Sequence, residues 1–133
     1  MKLIEIQRVS SDSDNRGFAA RPVDEKELKA GQVSNIHIVS MKPGVVRGNH
    51  YHIKQKEKIW LIGGPCKVIA RNRNTGETEE EVFDGNEQIL LVIPPDISHA
   101  IKNISDRTTY LFCYSNFSPT PDDKDVFRDE LVK

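Results

Sequence analysis

From Val33 to Met41 the chain reads VSNIHIVSM, an alternation rich in β-branched residues that predicts a strand closed by Pro43-Gly44. The same rhythm returns in KIWLI, CKVIARN, ETEEEVFD, QILLVIP, HAIKNI and TTYLFCYSN, separated by turn signals such as GGP and NTG. Short strands at regular spacing with hardly any helix predict an all-β sandwich or barrel. The opening MKLIEIQRV alternates less cleanly, as an edge or partner-facing strand would, and SSDSDNRG breaks it. DEKELKA, residues 24–30, predicts one or two helical turns capped by Asp24 and ended by Gly31. After the linker SPTP, acidic residues and the pair Phe127/Leu131 at i, i+4 predict a short C-terminal helix.

At 133 residues the chain has length for one domain with a real core. We expect a single domain over residues 1–133, with its core at about 33–115 and a linker plus tail helix at 116–133. Nineteen Lys and Arg against 20 Asp and Glu leave no global field to recruit nucleic acid or an anionic membrane, so any anion site must be local. No segment approaches the roughly 20 apolar residues of a membrane span, and MKLIEIQRVSSDSD has no signal-peptide run. Cys66 and Cys113, in apolar strand-like contexts, read as buried thiols. These features lead us to expect a soluble, cytoplasmic protein.

The chemistry concentrates in GVVRGNHYHIKQKE, residues 44–57. Residues two apart on a strand share a face, so His50 and His52 aim two imidazoles at one place while Tyr51 points away. The polar IKQK that follows predicts a bend, which returns Glu57 to the same place. Downstream, in IPPDISHAIKN, His99 shares a face with Ile101 and Asn103 just after a double-proline turn. Three imidazoles and a carboxylate suit a borderline divalent ion such as Zn, Fe, Mn, Ni or Co. His37 lies outside this constellation. The parity of Trp60 is opposite to that of Glu57, so it should pack outside the barrel, where an exposed Trp beside an apolar face would suit a homodimer interface.

Gly44, His50, His52, Glu57 and Gly64 match the first cupin motif position by position, and PPDISHAIKN matches the core of the second, with Asp96 where glycine is usual. The chain therefore resembles the cupin superfamily. That resemblance implies a double-stranded β-helix, a jelly-roll barrel whose pocket is lined by His50, His52, Glu57 and His99 as metal ligands.

Two further stretches, DNRGF at 14–18 and the Val46-Arg47-Gly48-Asn49-His50 turn, are similar to the RmlC-like branch: dTDP-4-dehydrorhamnose 3,5-epimerases, dTDP-sugar ketoisomerases and capsular-sugar cupin domains. This similarity implies His50 as the base beside a keto group, Arg47 as a phosphate contact and Arg16 as a second one, all at one pocket. The expected substrate is a small molecule, a keto sugar carried on a nucleotide. A metal on His50 and a free base at His50 exclude each other, and Tyr110 or Tyr114 on a late strand could act as the acid. A metal-dependent dioxygenase and a non-catalytic carbohydrate-binding module are the alternatives that the same pocket leaves open.

Overall fold

Hydrophobic runs that are buried on both faces make the inner strands, and alternating ones make the edges. The computed structural model describes residues 1–133. Its strands are β1 (Glu5–Arg8), β2 (Ser10–Asp14), β3 (Gly17–Arg21), β4 (Asn35–Met41), β5 (Val46–Tyr51), β6 (Glu57–Ile62), β7 (Cys66–Asn72), β8 (Thr78–Phe83), β9 (Ile89–Ile93), β10 (Ile97–Asn103), β11 (Thr109–Ser115) and β12 (Phe127–Arg128). The single helix, α1 (Glu25–Lys29), is capped by the Asp24 side chain and followed by Gly31 at φ +68°, as the sequence predicts.

Two five-stranded antiparallel sheets face each other, ordered β1-β9-β6-β11-β4 and β12-β5-β10-β7-β8, with β2-β3 as a separate hairpin. This is the jelly-roll barrel of the cupins. Inward residues of both sheets, among them Val68, Leu91, Ile93, Ile101 and Leu111, form one dry cluster that includes Ile4 and Met41. The core thus draws on residues before the expected 33–115 span.

The tail departs from expectation: residues 116–133 contain no helix, and β12 pairs antiparallel with β5, placing Phe127 opposite Tyr51 and Arg128 opposite His50. The edge of β5 offers the tail backbone hydrogen bonds and Tyr51 offers Phe127 a stacking partner at 5.3 Å, contacts an isolated helical turn cannot match.

Trp60 does lie outside the barrel interior, but it is not an exposed face. It is buried with Val9, Leu90 and Tyr114, touches Phe18 of the hairpin edge-on, and donates from Nε1 to Gln88 at 3.0 Å. The edge strand β4, in contrast, does expose apolar residues, Ile36 and Ile38. No helix is long and apolar enough to cross a membrane.

Candidate metal and sugar site

The site depends first on a local irregularity. Gly48 at φ +95° and Asn49 at φ +55° interrupt β5, and the pairing of β5 with β10 shifts register between His99 and Ala100. Only glycine fits at position 48, because a Cβ there would lie 2.7 Å from the His99 carbonyl oxygen. The bulge sets Arg47 and His50, three residues apart, on the walls of the same cavity.

His50 stands directly opposite His99 across the β5-β10 ladder, with their ring centroids 4.7 Å apart, and the His52 ring is 4.9 Å from that of His50. The expected bend follows His52, and Glu57 opens β6 facing back toward it. Glu57 Oε1 is 3.7 Å from His52 Nε2 and 3.4 Å from His99 Nε2. One ligand atom from each of His50, His52, Glu57 and His99 lies within 4.8 Å of all the others. Asp96, in the turn before β10, holds φ +65°, so it does take the left-handed conformation that glycine usually supplies.

Whether these residues fit a metal follows from their protons. His52 Nδ1 is 2.6 Å from the Asp125 carbonyl oxygen and His99 Nδ1 is 3.2 Å from the Ile97 carbonyl oxygen. A carbonyl can only accept, so both Nδ1 atoms carry the proton and both Nε2 atoms present lone pairs. Those two Nε2 atoms are buried without a hydrogen-bond partner, and they point at a carboxylate, which also only accepts. With both rings neutral, three acceptors converge with no donor between them. A cation satisfies such a set, and its N and O donors suit a borderline divalent ion.

The carboxylate and the three imidazoles also act on one another's protons. Burial, reinforced by the neighbouring His99 and His52, lowers the His50 pKa to about 4. His52 moves the other way: burial opposes its charge, but the Glu57 carboxylate and the Asp125 carbonyl outweigh that and raise its pKa. Burial alone would raise Glu57, yet the two imidazoles beside it hold its carboxyl well below the usual range.

The cavity lined by His50, Glu57 and His99 has a volume of about 310 Å³. Arg47 stands at its exposed rim, its guanidinium donating to the Ser40 carbonyl oxygen of β4 at 3.2 Å. His37, set outside the constellation by sequence, also lines the cavity from β4, on the wall opposite His50 and in register with Cys113. The alternation of β4 was the signal for it, since His37 and Val39 share a face. Cys66 and Cys113 are free and buried, and burial pushes the Cys66 thiol up to about 12.

Arg16 is not brought to this cavity. Asn15 and Arg16 form the turn of the β2-β3 hairpin, and the Arg16 guanidinium folds back onto Asp14 at 2.6 Å, 86% exposed, in a separate surface groove with Asp12 and Phe18. Neither tyrosine of β11 lines this cavity: Tyr110 is exposed on the outer face, and the Tyr114 hydroxyl donates to the Pro22 carbonyl oxygen at 2.9 Å. Sequence reasoning missed Asp125. Its carboxylate, buried and carried at φ +53°, accepts the backbone N–H groups of Ile53, Lys54 and Gln55 at 2.9, 3.0 and 2.9 Å. A lone Asp in an acidic tail gave no pattern by which to find it.

The profile of the polysaccharide biosynthesis C-terminal domain family matches residues 12–127. The chain belongs to this family. Over 130 residues the chain is 24% identical to the spore coat polysaccharide biosynthesis protein SpsL of Bacillus subtilis, covering 94% of the chain and 86% of SpsL. It is 30% identical over 108 residues to the UDP-2-acetamido-2,6-beta-L-arabino-hexul-4-ose reductase of Pseudomonas aeruginosa, spanning 81% of the chain but 28% of the reductase.

Among solved structures, the dTDP-6-deoxy-D-glucose-3,5-epimerase RmlC of Legionella pneumophila superposes with a TM-score of 0.77 at 17% identity, over 99% of the chain and 75% of RmlC. The capsular polysaccharide assembling protein CapF of Staphylococcus aureus superposes at 0.69 with 22% identity, over 94% of the chain and 33% of CapF. The fold is that of the RmlC-like cupins.

Proposed function

We propose that this polysaccharide biosynthesis domain is a metal-binding sugar epimerase or isomerase, acting on a nucleotide-linked keto sugar by moving a proton at the carbon beside the carbonyl. The observation that carries the reading is the cluster of His50, His52, Glu57 and His99, three members of which line a cavity with Arg47 at its rim. Support for the substrate class comes from the nucleotide-sugar reductase matched over 81% of the chain and from the fold shared with RmlC, crystallised with dTDP-4-keto-L-rhamnose.

A proton beside a ketone is removable at neutral pH only if the developing enolate charge is stabilised. His50, His52, Glu57 and His99 would hold the metal, which supplies Lewis-acid stabilisation of that charge when bound. With His50 taken as a ligand, His37 is the imidazole left in the cavity outside the ligand set, and we assign it the proton transfer. The cavity volume of about 310 Å³ sits at the small end of ligand pockets. It suits one sugar ring, with the diphosphate at the rim, where the planar fork of Arg47 pairs with phosphate oxygens.

The test is solvent-deuterium exchange into a nucleoside-diphosphate 4-keto-6-deoxyhexose, with metal analysis of each variant. His37→Gln should abolish exchange while retaining metal; His52→Ala should lose both. If His37→Gln exchanged normally and His50→Gln did not, the base role would return to His50. Tight binding of the sugar nucleotide without exchange would overturn the enzyme reading in favour of a carbohydrate-binding module. Bound iron with oxygen consumption would favour the dioxygenase.

A further inference from the structure

The tail after residue 122 bonds to His52 and beside His50 and His99, three of the four candidate metal ligands. Beside His50, the Asn49 side-chain oxygen accepts the backbone N–H groups of Leu131 and Val132 at 2.8 and 3.1 Å, and its amide donates to the Val132 carbonyl oxygen at 2.8 Å. The Asn49 carbonyl oxygen also accepts from the Asp129 N–H at 2.8 Å. Beside His99, the Ser98 hydroxyl donates to the Asp129 carboxylate at 2.6 Å. Between His52 and Glu57, the only irregular stretch joining two of the ligands is gathered by the three amide bonds to Asp125, whose own carbonyl oxygen receives the His52 Nδ1 proton.

We propose that Asp125 is a positioning residue of the His-Glu site, and that seating of segment 123–132 and occupancy of the site by a divalent metal stabilise each other. Two physical effects support this. The Asp125 carbonyl fixes the His52 tautomer, which keeps the Nε2 lone pair aimed at Glu57 and raises the basicity of the ligand. Its carboxylate satisfies three successive amides that would otherwise be orphaned in the bend, so the distance from His52 to Glu57 is held before any ion arrives. Asp125 itself sits at φ +53°, a conformation that non-glycine residues keep only where surrounding bonds enforce it. If the tail organises the ligands, linkage requires that the metal in turn hold the tail.

The inference rests on the metal reading, and the wild-type chain alone tells the two apart. Zn(II) affinity is measured by competition with a chromophoric chelator, Co(II) binding by its visible absorption, and hydrogen exchange of the tail amides, Asp129 and Leu131 among them, with and without Zn(II). Saturating Zn(II) should slow exchange of these amides. Asp125→Ala should weaken Zn(II) by about 10- to 100-fold and alter the Co(II) spectrum, and Asp125→Asn, which keeps a side-chain acceptor and the backbone carbonyl, should recover part of the loss. Tail exchange unchanged by Zn(II) in the wild type, or equal affinity in wild type and Asp125→Ala, overturns the proposal even though metal binds. No binding of any tested metal to wild type overturns the metal reading, and the linkage with it. Should Asp125→Ala fail to fold, the wild-type exchange measurement decides by itself.

Discussion

The β2-β3 hairpin and the tail segment 123–132 are both polar and rich in aspartate, yet they are bound to the molecule in opposite ways. The hairpin satisfies its backbone internally, β2 against β3, and its turn carboxylate Asp14 spends its hydrogen bonds on Arg16 two residues away. The tail pairs with itself only at Thr120 against Asp123 and in the exposed Arg128–Glu130 pair. It bonds outward to β5, to the bend after His52 and to Ser98 beside His99, and its carboxylate Asp125 is buried. A polar segment joins a site when the site leaves backbone groups unpaired that it can satisfy, and the bend at 53–55 leaves three in a row.

The largest expected effect separates the two aspartates. Asp125→Ala strands three amides in a partly buried bend and should cost about 3 kcal/mol, from bonds to a charged acceptor worth roughly 1.5–3 kcal/mol each and not fully additive. Asp14→Ala removes only a solvent-exposed local pair and should leave the unfolding midpoint unchanged. Urea denaturation of the two variants side by side checks this, and equal effects would break the contrast.

Next in size is Gly48→Ala. The positive φ and the close His99 carbonyl oxygen should cost about 2 kcal/mol by backbone strain, with a contraction of metal affinity because His50 and Arg47 take their positions from this bulge. A Gly76→Ala control also takes a positive φ but meets nothing within 4 Å, so it should keep metal affinity intact.

Much of the candidate ligand set was legible because it follows spacing: the His50/His52 pair obeys strand period, and His99 follows the double-proline turn at the matching motif position. The bend returning Glu57 was readable from the polar IKQK. What period could not carry was the bulge, which puts Arg47 on the His50 wall although strict alternation would separate them. Nor could local pattern choose the tail conformation. Phe127/Leu131 fit a helix face, and only the open edge of β5, remote in sequence, decides for a strand. Arg16 shows the converse: its local motif predicts a phosphate contact, but a hairpin that closes on itself keeps the guanidinium on its own Asp14.

A smaller effect divides the two arginines. Arg47→Ala should leave stability untouched and weaken nucleotide-sugar binding by roughly tenfold, the lower end of a charge-assisted hydrogen bond. Arg16→Ala should change neither quantity in the monomeric chain. Equilibrium binding of a nucleoside-diphosphate sugar checks both, and a loss on Arg16→Ala alone would make the hairpin, not the β5 wall, the phosphate contact.

The smallest effect concerns how the hairpin's far end is moored. Tyr114 is buried beside Trp60 and its hydroxyl donates to the Pro22 carbonyl oxygen, just past β3. Burial, with the carboxylates of Glu27 and Asp24 adding to it, raises its pKa above the ordinary tyrosine range. The folded state therefore keeps the phenol proton at a pH where the unfolded chain releases it, so stability falls as pH rises through the unfolded value near 10. Below that pH the contribution is fully present. Tyr114→Phe should lose about 1 kcal/mol for the hydrogen bond at neutral pH, and its deficit relative to wild type should shrink in alkali as the wild type bears the cost of keeping its phenol neutral. Thermal melts of both proteins from pH 8 to 11 measure that difference, and a deficit constant across the range would mean that Tyr114 is solvated enough to titrate in the folded chain.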